Sequence, residues 1–399
     1  MQTYIVLIAC VILLLCLFFR VPVYISVFAA ALTYFLFQTG SSPAIIAQRI
    51  GGGIQSIPLL AIPFFICAGI FMNSSGVTKR IMNFCNVVTK RMTGGLGQVN
   101  VLLSTLMGGL SGSNLADAAM EAKILVPEME EKGYSKEFSS VLTATSAMIT
   151  PLIPPGIGMI LYGSIANVSI GKLFVAGIGI GVLLCISLMI MVHFISKKRG
   201  YQPATKEKQD PEEVKSAVKQ AILPLCLPIL IIGGIRIGIV TPTEAGTVAI
   251  VYALILGIIY KELKMSDVVD GLKESVATTA SIMMIVGGAS AFAWVLTKER
   301  IPQQLTEVIT SSISNKYVFL IIVILFLLVV GMFIEGNAAM IVLVPLLAPV
   351  AQAYGINEIH FAMLFIFAME FGCFCSIYIV NLCPLKPRGV LRIMLDSQI

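Results

Sequence analysis

The sequence predicts an all-α polytopic membrane protein, and its composition and hydropathy give the main reasons. Of the 399 residues, 57% are hydrophobic and only 12% are charged, with a mean hydropathy of +0.95. Soluble domains carry about twice that share of charged residues. Apolar runs long enough to form membrane-spanning helices recur along the chain. The formal net charge of +6 fits basic cytoplasmic loops, so it gives no reason to expect a nucleic-acid partner.

The order of the apolar runs predicts an internal repeat. Each half contains a segment typical of a re-entrant helical hairpin, with a polar tip between two runs too short to cross the membrane. An odd number of crossings in the first half inverts the second, and the positive-inside bias places the charged linker in the cytoplasm. The first inverted repeat is predicted over 1–195, with a hairpin at 94–131 and a broken helix at 136–168. A cytoplasmic linker follows over 196–221. The second repeat is predicted over 222–372, with a hairpin at 316–353 and the start of a last broken helix.

The first hairpin and the broken helix after it form the leading candidate site. The tip reads Ser111-Gly112-Ser113-Asn114, and prolines interrupt the broken helix near Thr150. Non-helical backbone at membrane depth occurs where it faces protein or a water-filled cavity, and broken helices around a substrate are typical of transporters. Hydroxyl, amide and freed carbonyl oxygens suit a cation such as sodium, whereas a tip that only caps its helices is the simpler alternative. The candidate residues are Ser111, Gly112, Ser113, Asn114, Asp117, Thr145, Thr150, Pro154, Pro155 and Gly156.

Acidic residues inside the predicted membrane segments are further candidates. Asp117 and Glu121 are four residues apart and therefore share one face of a helix. Asp117 is open to two interpretations, ion coupling or a structural hydrogen bond, whereas Glu121 is expected to be structural. At the second hairpin, the tip Glu335-Gly336-Asn337 is the corresponding candidate site for sodium or substrate.

The sequence contains no motif of a hydrolase or a nucleotide-driven pump: GxSxG, HExxH and P-loop patterns are all missing. We therefore expect a protein that is not an enzyme and that requires no cofactor. The segment Thr241-Pro242-Thr243-Glu244 has the pattern of a helix start with a capping box, which is a structural role.

Several of these segments also carry a family resemblance. They are Gly108 to Ala119 (GGLSGSNLADAA), Pro151 to Gly156 (PLIPPG) continuing to Leu161-Tyr162-Gly163, Thr241 to Ala245 (TPTEA) and Gly331 to Ile334 (GMFI). Together they resemble the large membrane subunit of tripartite ATP-independent periplasmic (TRAP) transporters. The resemblance covers roughly residues 1–372, and its first segment is the most specific.

This resemblance implies an elevator-type carrier of the ion-transporter superfamily that crosses the bacterial inner membrane many times. Such carriers use sodium as the coupling ion and import organic acids, among them C4-dicarboxylates, sialic acid and other sugar acids. The implied partners are a periplasmic substrate-binding protein, a small four-helix membrane subunit, the lipid bilayer and the small organic anion itself. The first tip and break would form one sodium site, and the second tip would contribute to another.

Residues 373–399 depart from the family pattern, which has a Thr-Pro-Pro-Gly-like interruption and a further crossing helix at this place. The chain instead ends in a more polar stretch that includes Cys373, Cys375 and Cys383, so one interpretation is a truncated or frameshifted tail. Two alternatives for the function stay open. One is a stand-alone sodium/carboxylate symporter of the same superfamily, and the other is a non-transporting membrane subunit.

Overall fold

The structure, a computed structural model, describes residues 2–19, 21–38, 43–112, 114–203 and 211–382, and the following statements concern these residues. They form α-helices joined by short turns, with no β-strand among them. Seven helices in the described ranges are long and apolar enough to cross a membrane, or eight if one bent pair forms a single span. The predicted fold class, an all-α polytopic membrane protein, is therefore confirmed.

The helices follow one another with few residues between them. They are α1 (Gln2–Phe18), α2 (Val23–Phe37), α3 (Pro43–Ile54), α4 (Ala61–Ser74), α5 (Val77–Thr89), α6 (Gly95–Ser111), α7 (Asn114–Glu131), α8 (Lys136–Ala147), α9 (Ile157–Ala166), α10 (Ile170–Arg199), α11 (Pro211–Ile237), α12 (Pro242–Tyr260), α13 (Met265–Lys298), α14 (Ile301–Ser312), α15 (Lys316–Gly331), α16 (Gly336–Ala353) and α17 (Glu358–Leu382). Two short 3₁₀ turns, Ile57–Leu60 and Thr150–Leu152, precede α4 and α9.

These helices group into two compact units. The first unit lies within Met1–Leu60, Ile160–Leu173 and Val276–Ser376, and the second mainly within Ala61–Met159 and Phe174–Ser275. Aromatic side chains fill part of the first unit: the Phe319 ring stacks on Tyr354 with ring centroids 4.7 Å apart. Burial of such large apolar rings contributes strongly to packing. The first unit therefore has an aromatic core beside its hairpin α15–α16.

The second unit has an apolar core between its hairpin α6–α7 and the helices α8 and α10. Gly97 on α6 lets α10 approach closely, because a Cβ there would lie 2.9 Å from a methyl carbon of Val192. The buried members of this core are Leu96, Val101, Met129, Tyr134, Phe138, Leu142, Ile149, Cys185, Leu188 and Val192.

Helix boundaries differ from the predicted ones at the charged linker. Helix α10 continues to Arg199 and α11 begins at Pro211, so helical structure enters the segment predicted as a solvated linker over 196–221. The local sequence explains both ends. Lys197, Lys198 and Arg199 occupy the last turn of α10, where cations stabilise the helix dipole. Proline at the first position of α11, followed by two glutamates, is a favourable helix start.

Candidate functional site

The first predicted hairpin forms as a pair of packed helices, α6 and α7. Gly112 ends α6 with φ of +63°, a left-handed conformation that glycine adopts without the steric cost of a Cβ. Asn114 begins α7 immediately afterwards. Ser113, one of the predicted site residues, lies outside the described residues, and for Ser111 only the backbone is described. Two packed helices therefore occupy the segment predicted as a hairpin at 94–131, with the turn between them at the predicted tip.

The broken helix also forms where the sequence predicts it. Its two parts, Lys136–Leu152 and Ile157–Ala166, meet at an angle of 44°. The break contains the 3₁₀ turn at Thr150 and a non-helical passage through Pro154, Pro155 and Gly156. Prolines cause the break because each lacks an N–H donor and its ring clashes with the preceding turn.

The hairpin tip and the break lie in close contact within the second unit. A Cβ at Gly112 would lie 2.5 Å from the carbonyl oxygen of Pro155, and a Cβ at Gly108 would lie 2.9 Å from the Cα of Thr150. Gly156 is equally confined, since a Cβ there would lie 2.1 Å from the carbonyl oxygen of Pro151. Glycine is required at these three positions because the backbone segments approach each other directly. The structure therefore brings together the two segments that the sequence singled out.

A buried hydrogen-bond network connects α6 with α8 in the turns that precede this contact along both helices. The Asn100 amide donates to the Thr143 hydroxyl at 2.7 Å, and the Ser146 hydroxyl donates to the Asn100 side-chain oxygen at 2.6 Å. The Thr143 hydroxyl in turn donates to the Ser139 carbonyl oxygen at 2.9 Å. Buried polar groups are stable only when they are hydrogen-bonded, so this network fixes the side-by-side arrangement of the two helices.

Both acids of α7 point into the same network. Asp117 and Glu121 each have 0% exposure. The Thr150 hydroxyl donates to Asp117 Oδ2 at 3.1 Å, which links α7 to the break. The Ser104 hydroxyl lies 2.6 Å from Glu121 Oε2, which links α7 to α6. The predicted common face of the two acids is therefore confirmed, and it faces the protein interior.

The remaining predicted residues of this site have simpler surroundings. The Thr145 hydroxyl donates to the carbonyl oxygen of Val141 in its own helix at 2.7 Å. Pro154 and Pro155 are buried in the non-helical passage. The structure thus places Gly112, Thr150, Asp117 and the proline-containing break together, while the Thr145 hydroxyl bonds within α8.

The second predicted tip lies in the first unit, and the Glu335 side chain forms its hydrogen bonds to the start of α16. Glu335 caps α16: Oε2 accepts the Ala338 amide N–H at 3.0 Å, and Oε1 accepts the Asn337 side-chain amide at 2.7 Å. A carboxylate at an N-cap stabilises the free N–H groups of the first turn. Helices α15 and α16 occupy the segment predicted as the second hairpin, and both Glu335 oxygens accept hydrogen bonds from the start of α16.

Helix α17 packs tightly against α15, and its described residues lack the interruption that is typical of the family, as the departure of the sequence from the family pattern indicates. A Cβ at Gly372 would lie 2.6 Å from the carbonyl oxygen of Leu328, and a Cβ at Gly331 would lie 2.7 Å from the carbonyl oxygen of Met369. Helix α17 continues through Cys373 to Leu382. The predicted start of a last broken helix is thus the first part of a continuous helix, and the rest of the predicted atypical tail, 383–399, lies outside the described residues.

The helix start at Thr241 has the predicted capping box. The Thr241 hydroxyl accepts the Glu244 amide N–H at 3.3 Å, and Glu244 Oε2 accepts the Thr241 amide N–H at 2.7 Å. These reciprocal bonds satisfy two N–H groups that the first turn leaves free. The structural role predicted for this segment is confirmed.

Sequence reasoning missed Asn100, Ser104 and Ser139 as members of the buried network. A signal was available for α6, because Asn100, Ser104 and Gly108 recur every four residues and so form one stripe of polar and small residues along the helix. The stripe faces the acids of α7 and the break, which spacing alone does not reveal.

Comparison with known proteins gives the family of this chain. The model of the family described as tripartite ATP-independent periplasmic transporter, DctM component, matches residues 10–375. The sialic acid TRAP transporter large permease protein SiaM of Vibrio cholerae is 41% identical over 357 residues, which are 89% of this chain and 83% of that protein. The C4-dicarboxylate TRAP transporter large permease protein DctM of Pseudomonas aeruginosa is 34% identical over 345 residues, 86% of this chain and 80% of that protein.

A solved structure supports the same fold. The YdaH transporter of Alcanivorax borkumensis matches with a TM-score of 0.55 and 14% sequence identity, over 88% of this chain and 84% of that one. The helical fold, the broken helix and the sequence matches all indicate the same family. The chain therefore belongs to the family of large permease subunits of tripartite ATP-independent periplasmic transporters, and it is a transport protein rather than an enzyme.

Proposed function

We propose that this large permease subunit imports an organic anion and couples the import to sodium. The observation that carries the sodium assignment is the close approach of the Gly112 turn to the carbonyl oxygen of Pro155. Hard cations bind oxygen ligands, and carbonyl groups in non-helical backbone can replace the water around an ion. The nearby Asp117 carboxyl and Thr150 hydroxyl add oxygens from two other elements. We therefore place the first sodium site at the tip residues Ser111 to Asn114 together with Thr150 to Gly156.

We assign the second tip, Glu335 to Asn337, to a second ion or substrate site. At this tip, both Glu335 oxygens already accept hydrogen bonds from α16, whereas the first tip contacts a separate element. The side-chain oxygens of Glu335 and Asn337 suit a cation, and the start of α16 carries the partial positive charge of a helix N-terminus.

The substrate proposed first is sialic acid or a related sugar acid. The reason is the 41% identity to the Vibrio cholerae permease that is named for sialic acid. C4-dicarboxylates follow, because the Pseudomonas aeruginosa relative is named for them, and 2,3-diketo-L-gulonate is third, from the 35% identical Escherichia coli relative that carries that name. All of these are organic acids, so an anion-binding site is common to them.

The proposed partners are a small membrane subunit and a periplasmic substrate-binding protein, with the complex in the bacterial inner membrane. The proposed movement is of the elevator type, in which the hairpins carry ion and substrate across the membrane. Broken helices and hairpins around a binding site are typical of secondary transporters.

The test is uptake of labelled anions into proteoliposomes that contain the permease with its small membrane subunit. We expect uptake that requires both an inward sodium gradient and the cognate binding protein. Uptake that needs sodium but no binding protein would favour the stand-alone symporter, and no uptake under any condition would favour a non-transporting subunit.

Asn114→Ala tests the position of the sodium site within this assay. Loss of one oxygen ligand costs on the order of 1.4 kcal/mol, so the sodium concentration for half-maximal uptake should rise by about tenfold. Asn83→Ala removes an exposed amide on α5 of the same unit and serves as the control. An unchanged sodium activation curve in Asn114→Ala would show that the tip is not the site.

A further inference from the structure

The Glu121 carboxyl group is buried without a basic partner among the described residues. It has 0% exposure, and its Oε1 atom has no hydrogen-bond partner in the part of the chain that the structure describes. The ion pairs within those residues are Arg80–Glu262, Lys90–Glu213 and Lys273–Asp270, and none of them includes Glu121. An ionised carboxylate in such surroundings costs several kcal/mol.

The titratable groups around Glu121 do not offset a negative charge. Asp117 precedes it by one turn of α7, and the Cys85 thiol of α5 is near enough to interact electrostatically with it. From α6 and α8, the side chains of the network are the neutral amide of Asn100 and the hydroxyls of Ser104 and Thr143. Neither a lysine nor an arginine is among these groups.

The hydrogen bonds around Ser104 require one more proton than the serine has. The Ser104 oxygen lies 3.1 Å from the carbonyl oxygen of Asn100 and 2.6 Å from Glu121 Oε2. A serine hydroxyl carries a single proton but can accept through its lone pairs. Both contacts are full hydrogen bonds when Ser104 donates to Asn100 and a protonated Glu121 donates to Ser104.

We propose that Glu121 is a neutral carboxylic acid and a positioning residue for the first sodium site. It acts through Ser104, whose carbonyl oxygen lies 3.4 Å from the Thr150 hydroxyl at the start of the break. That hydroxyl also contacts Asp117 Oδ2 at 3.1 Å. Glu121 therefore holds α6 against the break without touching the ion.

One consequence concerns the charge of the site. With Glu121 neutral, the Asp117–Glu121 pair contributes at most one negative charge, which matches a monovalent cation. This consequence rests on the proposed sodium coupling, whereas the protonation of Glu121 rests on the geometry around Ser104.

Infrared difference spectroscopy of the purified full-length chain tests the protonation directly. We expect the C=O stretching band of a protonated carboxylic acid in the unmodified protein and its loss in Glu121→Gln. The matched control is Glu130→Gln, an exposed acid on the same helix, which should leave that band unchanged. Loss of a carboxylate band in Glu121→Gln, with the carboxylic-acid band intact, would overturn the proposal. This measurement needs no transport, so the protonation of Glu121 can be established whether or not the proposed function is correct.

Sodium-dependent uptake tests the positioning role. Glutamine also offers a neutral donor to Ser104, so Glu121→Gln should keep the half-saturating sodium concentration within about twofold of the unmodified protein. Glu121→Ala loses the donor and should raise that concentration by at least about fivefold. Ser104→Ala removes the same bond from the other side and should give a similar shift, which covers the case in which Glu121→Ala does not fold. A shift in Glu121→Gln as large as in Glu121→Ala would contradict the proposal.

Discussion

At the first hairpin, the turn after α6 packs directly against a broken helix, whereas at the second hairpin the turn before α16 is capped by its own acid. The carbonyl oxygen of Pro155 lies where a side chain at Gly112 would have to be. At Gly336, a Cβ would lie 3.4 Å from Glu370 Oε1, an ordinary contact distance. Two tips that both contain glycine and asparagine are therefore stabilised differently, one by backbone contact between elements and the other by local capping.

The acids of the two hairpins differ in the same way. Asp117 and Glu121 are inaccessible to solvent and contact other elements through Thr150 and Ser104. Glu335 is exposed, and its two oxygens accept bonds from residues two and three positions later. A buried acid depends on distant partners, whereas a capping acid depends on its own helix start.

The largest expected effect comes from adding a side chain at the first tip. Gly112→Ala forces a left-handed residue with a Cβ against the Pro155 carbonyl oxygen, so we expect a loss of about 3 kcal/mol in stability and the loss of sodium-dependent uptake. Gly133→Ala separates the backbone strain from the steric clash. Its φ is +85°, so the strain is similar, but no atom lies within 4 Å of the added Cβ.

Gly133→Ala should lose only about 1 kcal/mol. Gly336→Ala at the second tip should lose less stability than Gly112→Ala, because its Cβ would lie at an ordinary contact distance of 3.4 Å from Glu370 Oε1. Thermal unfolding and uptake measure these effects in the same preparations. Equal effects of Gly112→Ala and Gly336→Ala would remove the distinction between the two tips.

A moderate effect is expected from the capping acid of the second hairpin. Glu335→Ala leaves the Ala338 N–H without its acceptor and should lower stability by about 1 kcal/mol, the usual value of an N-cap. Thr241→Ala removes a comparable cap from α12 and provides the reference. The sodium activation curve should shift less in Glu335→Ala than in Asn114→Ala. A larger shift would instead make the second tip the dominant ion site.

The smallest effect concerns the turn between α7 and α8, which Tyr201 contacts. The Tyr201 hydroxyl oxygen accepts the Ser135 amide N–H at 3.1 Å, and its ring stacks on Tyr134 with centroids 4.2 Å apart. Burial acts to raise the pKa of the Tyr201 phenol, but the Ser135 amide and the Arg199 guanidinium outweigh it, so the pKa lies below its usual value.

A pKa that is lower in the folded state means that folding favours the phenolate. The charge-linked stabilisation is therefore complete above the unfolded pKa of about 10 and is lost as the pH falls through the folded pKa. Consequently, the difference in melting temperature between the unmodified protein and Tyr201→Phe should be small at neutral pH and increase as the pH approaches 10. A difference that is constant with pH would indicate that only the neutral hydrogen bond matters.

Much of the fold and part of the site could be predicted because they depend on local sequence. Apolar runs gave the helices, Gly112 gave the turn, and Pro151, Pro154 and Pro155 gave the break, since each acts on the backbone next to it. The boundaries at Arg199 and Pro211 were harder to predict, because charged helix ends resemble a solvated linker in composition.

The amino-acid sequence was sufficient to predict the membrane class, the two pairs of short helices and the family, because hydropathy, proline and glycine act locally and motifs are compared residue by residue. Which polar groups meet became visible only in the three-dimensional structure. Asn100 reaches Ser146 across 46 positions, and Thr150 reaches Asp117 across 33. The same holds for Glu121, whose bond to Ser104 depends on how α6 packs against α7. Partners in a buried hydrogen-bond network are chosen by packing between helices, and no local pattern specifies that packing.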